Sequence, residues 1–191
     1  MTAVEQPFLF VVEDVFTRNQ GRAVAAAGVI VRGRVHSGAD VSIVGSGRNE
    51  LVPVTGIEVD KHHVDEAITG MNVALLLPGK SAVERGHVLA APGSIGAHQS
   101  FRAEVSVLPE AQGGFEVRTG DHLAFYIHSG AMRGVVTLPT GLDALRPTHL
   151  AAVTVTLERP VALEVGQHFA FRHRGRAAGS GRVSELLCRG S

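Results

Sequence analysis

Phe101-Arg102-Ala103-Glu104-Val105-Ser106-Val107 decides the fold class. Phe101, Ala103, Val105 and Val107 project to one side, and Arg102, Glu104 and Ser106 to the other. This period-two pattern belongs to a half-buried β-strand. The same alternation returns in Ala151–Leu157, with Ala151, Val153, Val155 and Leu157 directed inward and Thr154 and Thr156 outward. Further strands are expected at 8–12, 24–31, 41–44, 54–59, 73–77, 123–128, 135–138, 168–172 and 181–186. Glycine-containing turns such as Val44-Gly45-Ser46-Gly47 and Pro139-Thr140-Gly141 separate them. Helical periodicity is almost missing. Many short strands must close or stack, because open edges invite aggregation. The expectation is an all-β chain of antiparallel barrels.

Pro92 and the glycines of Ala91-Pro92-Gly93-Ser94-Ile95-Gly96 interrupt the pattern just before the strand at Phe101, which predicts two domains, 1–97 and 98–191. At 191 residues the chain can fill two cores. Its 18 basic and 18 acidic residues balance, so no broad cationic field is available and any nucleic-acid contact must come from a local patch. The single cysteine, Cys188, excludes an internal disulfide and a cysteine zinc site. No signal-like opening is present, and apolar runs such as 73–77 are too short to span a bilayer, so a cytoplasmic protein without membrane contact is expected.

Specific segments carry a resemblance. They are Pro7-Phe8-Leu9-Phe10-Val11-Val12-Glu13-Asp14-Val15-Phe16, Gly21-Arg22, Val41-Ser42-Ile43-Val44-Gly45, Thr55-Gly56-Ile57-Glu58, Asn72-Val73 and Glu84-Arg85-Gly86-His87-Val88-Leu89-Ala90-Ala91-Pro92-Gly93. The second half continues with Gly113-Gly114, Phe125-Tyr126, Gly134-Val135-Val136-Thr137-Leu138-Pro139, Phe169-Ala170-Phe171-Arg172 and Gly175-Arg176. In this order and spacing the chain resembles the second and third domains of elongation factor Tu. The resemblance implies a translation-factor domain 2 type barrel followed by an elongation factor Tu C-terminal type barrel. In the family a GTPase domain precedes them, and this chain starts almost where the second domain starts, so a form without the GTPase domain is expected. Pro78-Gly79-Lys80-Ser81 ends like a phosphate-binding loop, but Ala74 stands where that motif needs its first glycine. A hairpin turn is expected there.

The resemblance also implies a cleft for the aminoacylated end of a transfer RNA, formed by Glu13, Asp14, Phe16, Glu58, Lys61 and Asn72. Carboxylates and an amide suit an α-amino group and ribose hydroxyls, and Phe16 offers an apolar wall. Taken singly, Glu13 and Asp14 could shape a turn, Phe16 could fill the core and Asn72 could cap a hairpin. Asp60, Lys61 and Ala27 depart from the family pattern, and Asp60 adds negative charge where phosphate and ribose would lie. In the second half Gly113-Gly114 leads into Phe115-Glu116-Val117-Arg118-Thr119-Gly120, which is shorter than the family's RNA-gripping segment. Arg172, Arg174 and Arg176 form a local basic stretch suited to phosphates. A solvated loop accounts for the same arginines.

No metal site is expected, because His62 and His63 are adjacent on a strand and face opposite ways. No cofactor or catalytic constellation is read from the residues, so the chain is expected not to be an enzyme. The implied partner is aminoacyl-transfer RNA. Alternative partners, by resemblance, are the nucleotide-exchange factor, a separate GTPase subunit, or antibiotics of elongation factor Tu, for which the chain would act as a decoy.

Overall fold

A computed structural model describes residues 2–45 and 48–187. The Ser46-Gly47 part of the first expected turn lies outside the described residues, as does Cys188. The described residues hold no α-helix, only strands and two three-residue 3-10 turns. The chain divides between Ala97 and His98 into two compact units.

The first unit contains β1 (Leu9–Arg18), β2 (Ala23–Arg32), β3 (Arg34–His36), β4 (Asp40–Gly45), β5 (Arg48–Pro53), β6 (Gly56–Val59), β7 (His62–Val64), β8 (Glu66–Ile68), β9 (Asn72–Pro78) and β10 (Val88–Ala90). Eight of these form one sheet in the order β5-β4-β10-β1-β2-β9-β6-β7, while β3 and β8 pair as a separate ribbon. The ladders are antiparallel, for example Val11 opposite Val88 and Ala26 opposite Leu75. The sheet curls around a single core to which Phe10, Val12, Ile30, Ile43, Ile57, Leu75 and Leu89 contribute.

Its end strand β5 continues through the chain into β6, the strand next to the other end. β5 pairs with β4 and β6 pairs with β9, and only Val54 and Thr55 separate β5 from β6. Val54 exchanges backbone hydrogen bonds with Gly38 and Ala39, at 2.7 and 2.8 Å, and the Thr55 N–H donates to the Leu76 carbonyl at 2.8 Å. One continuous run therefore satisfies backbone groups on both flanks of the seam.

The second unit contains β11 (Gly96–Val107), β12 (His122–Ile127), β13 (Gly130–Thr137), β14 (Leu150–Leu163), β15 (His168–His173) and β16 (Arg176–Leu187). They close as a barrel in the order β11-β14-β13-β12-β15-β16, with β16 pairing back onto β11. The alternation read at 101–107 is realised, residue by residue, as buried and exposed positions. The interior is aromatic: Phe169 meets Phe101 edge-on at 5.6 Å and Phe125 at 5.8 Å between ring centroids. The rings fit because glycine stands where they lie. A Cβ at Gly179 would collide with the Phe171 ring and the Ser106 carbonyl, and one at Gly181 with the Phe169 ring.

Candidate functional site

The outer face of the first sheet carries a hollow of about 340 Å³. Its floor follows from small side chains in register: Ala27 lies opposite Ala74, and Ala74 opposite Glu58. Directly opposed residues share a face, so this row sinks between taller neighbours. Beside it, Phe16 lies opposite Ala25, and Ala25 opposite Leu76. Gly28 also lines the hollow, and a Cβ there would strike the Val11 carbonyl and the buried Phe10 ring.

An irregularity in β1 turns Glu13 toward this depression. Val12 pairs with Gly28 but Asp14 pairs with Ala27, leaving Glu13 as an extra residue in the ladder. Such a bulge re-aims side chains. Glu13, Phe16, Glu58, Lys61 and Asn72 all line the hollow. Asp14 is not among its lining residues, and its Oδ1 accepts the Val15 N–H at 2.9 Å. Phe16 is 47% exposed, so it forms a wall rather than part of the core. Glu58 is more sheltered, and one of its carboxylate oxygens lies 3.8 Å from His63 Nε2.

Asp60 and Lys61 form the two-residue link between β6 and β7, where Val59 pairs with His62. Both have left-handed backbones, with φ of 49° and 67°. A turn of this hand matches strand twist but suits Asn-Gly better than Asp-Lys. The turn places Lys61 and Asp60 at one side of the hollow. The lining thus offers carboxylates for an ammonium or hydroxyl, an amide for either hydrogen-bonding role, cations for an anion, and an aromatic surface. Arg18 also lines it. Sequence reading missed Arg18, although its spacing of two from Phe16 places both on one strand face.

In the second unit Arg172, Arg174 and Arg176 are all exposed. Arg172 on β15 lies opposite Ala124, and Ala124 also lies opposite Arg133 on β13. Two arginines therefore flank one alanine on the outer face of the barrel. The Arg172 guanidinium carbon sits 4.8 Å from the centroid of the Tyr126 ring, a cation–π contact. Arg174 and Gly175 form the tight turn between His173 and Arg176, which pair across it. Arg133 and Tyr126 had no local signal; only strand pairing brings them beside Arg172.

The elongation factor Tu C-terminal domain model matches residues 94–187. Those residues are similar to that family's domain. Within the matched residues, the segment after Gly113-Gly114 is pinned by Phe115, whose ring stacks on His173 with centroids 3.9 Å apart. The stack places the shortened segment next to the Arg174 turn.

Other expectations fall outside the hollow. Gly79 and Lys80 form a turn, with the Ser81 N–H donating to the Pro78 carbonyl at 3.0 Å, and the following residues 82–84 are not helical. A phosphate-binding loop needs a helix there. His62 and His63 sit side by side on β7, with His63 opposite Glu58 and His62 opposite Val59. Among the described residues no helix is long and apolar enough to cross a membrane.

Proposed function

We propose that the chain is a noncatalytic, translation-factor-like binding module. In this reading the hollow of the first unit holds the aminoacylated 3′ end of a transfer RNA, and the arginine-bearing face of the second unit holds stem phosphates. The observation that carries it is the convergence of Glu13, Phe16, Glu58, Lys61 and Asn72 on one hollow. These residues come from three separate stretches, 13–16, 58–61 and Asn72, and they combine a cation-binding end, hydroxyl-binding groups and an apolar wall. The similarity of residues 94–187 to the elongation factor Tu C-terminal domain supports a translation setting.

The neutral balance of the whole chain fits a recognition role in which local groups do the discriminating. The arginines flanking Ala124 supply forked donors at strand spacing, which suits successive phosphates. Noncatalytic binding in the cytoplasm is the corresponding cellular role.

Binding of the full chain to aminoacyl-transfer RNA and to the same transfer RNA without its amino acid is the direct test. Tighter binding of the aminoacylated form is expected. Equal affinity would remove the role assigned to the hollow, and loss of binding by Arg133→Gln and Arg172→Gln together would locate the stem contact.

A further inference from the structure

We propose that the second unit carries a self-complementary face on which two copies of this chain dock. The starting observation is Leu150, the first residue of β14. Alternation along that strand buries Val153, Val155 and Leu157, while Ala152, Thr154 and Thr156 form the outward series. Leu150 falls in the outward series, where its neighbours are small or polar. It is 68% exposed, the most open of the large apolar side chains among the described residues. A lone exposed leucine needs no explanation. This one stands at the edge of a hollow.

The loop between β13 and β14 encloses about 390 Å³, with Leu142, Leu145, Leu150 and Ala151 as its apolar walls. The walls are fixed in place. Leu145 is buried and exchanges backbone hydrogen bonds with Val117 at 2.8 and 2.9 Å, and the Thr148 N–H donates to the Val107 carbonyl at 3.0 Å. Thr148 has a left-handed backbone, with φ of 66°, which a β-branched residue resists. It turns the chain just before Leu150.

Knob and hole therefore share one patch. In a twofold contact, residue i of one copy meets residue j of the other and j meets i, so a patch bearing both parts satisfies its own image. Leu150 of each copy enters the hollow of the other. The rim repeats the logic in charge. Asp143 and Arg146 both line the hollow and both are exposed. Neither is in an ion pair among the described residues. Arg118 lies near enough to feel Asp143, but its Nε is held by Glu116 at 2.8 Å. Across the axis, Asp143 of one copy faces Arg146 of the other, twice. A second copy brings both charges and the leucine together.

The zero net charge of the chain removes the long-range repulsion that keeps like molecules apart. The patch is small, so the dimer belongs in the micromolar range. None of its residues lines the first unit's hollow, and Arg133 and Arg172 do not line it, so the contact stands apart from the transfer RNA reading.

Sedimentation velocity of the full chain, from micromolar to millimolar concentration, is the test. A reversible monomer–dimer equilibrium is expected. Leu150→Glu changes a solvent-facing position, so it should keep the denaturation midpoint while raising the dimer dissociation constant about thirtyfold, the scale of a central contact residue. Arg146→Glu alone should weaken the dimer, and adding Asp143→Lys should restore most of the loss, because the exchanged charges again complement each other. A dimer indifferent to Leu150→Glu, or a charge exchange that restores nothing, would overturn the assignment. A chain that stays monomeric throughout would overturn it as well and leave the hollow to a different protein.

Discussion

The two units solve the closing of a β-sheet differently. The second ties its first and last strands together by a ladder, Phe101 opposite Leu186 and Val105 opposite Gly181. Its inside is filled by phenylalanines over glycine, and its irregularities lie on β11–β16 and β15–β16, while β12 pairs with β13 and β15 without a register shift. The first joins β5 to β6 through the chain, carries a detached β3–β8 ribbon and bears a bulge at Glu13. The unbroken pairing of β12 with both neighbours places like charges side by side, as with Arg133 and Arg172 across Ala124. Irregularity in the first produces a concave surface with mixed chemistry. Departures from ladder geometry are where a sheet acquires a pocket.

The strongest way to break this comparison is to empty one core and watch the other. Phe125 is buried among Phe169 and Phe171, and Phe125→Ala is expected to cost about 4 kcal/mol. Tyr126 is the chain's one tyrosine and there is no tryptophan, so tyrosine fluorescence reports the second unit. Urea unfolding followed by that signal should shift to lower denaturant, while amide exchange at Ile30 and Leu75 in the first unit stays slow. A matched loss of protection there would show that the two cores are one cooperative system.

A second change sharpens the chemical side of the contrast. Glu58→Gln keeps the shape of the hollow and removes one carboxylate, and it should lower the preference for aminoacylated transfer RNA by about tenfold, the scale of a hydrogen bond to a charged group. Filter binding at one salt concentration measures it, and an unchanged preference would detach Glu58 from the ammonium. The smallest effect is expected at the strained turn. Lys61→Gly relieves a left-handed lysine and should stabilise the first unit by about 1 kcal/mol while weakening ligand binding. Denaturant midpoints and ligand titration on the same variant check both signs.

Much of the fold was legible because burial writes itself into sequence with period two. Phe101–Val107 and Ala151–Leu157 needed no more than their alternation. The short strands at 34–36, 62–64, 66–68 and 88–90 were not legible, since three residues carry no periodicity and exist only through their partners. The hollow was reached through resemblance rather than pattern. Glu13, Phe16, Glu58, Lys61 and Asn72 have no common spacing, and only the β1-β2-β9-β6 order gathers them. Arg18 and Arg133 escaped for the same reason: each gains meaning from a residue on another strand. Asp14 shows the converse, because a one-residue bulge decides which of two neighbouring carboxylates reaches the depression.

The ladder between β11 and β16 has a consequence in time. Ser100 is paired with Leu187, so the strand that opens the second unit waits for the strand that finishes it. On a ribosome the staves of that cylinder emerge one after another, and the hoop goes on only when the last of them has cleared the exit tunnel. Until then its phenylalanines have no complete shelter, and any holding chaperone would have its opportunity in that interval.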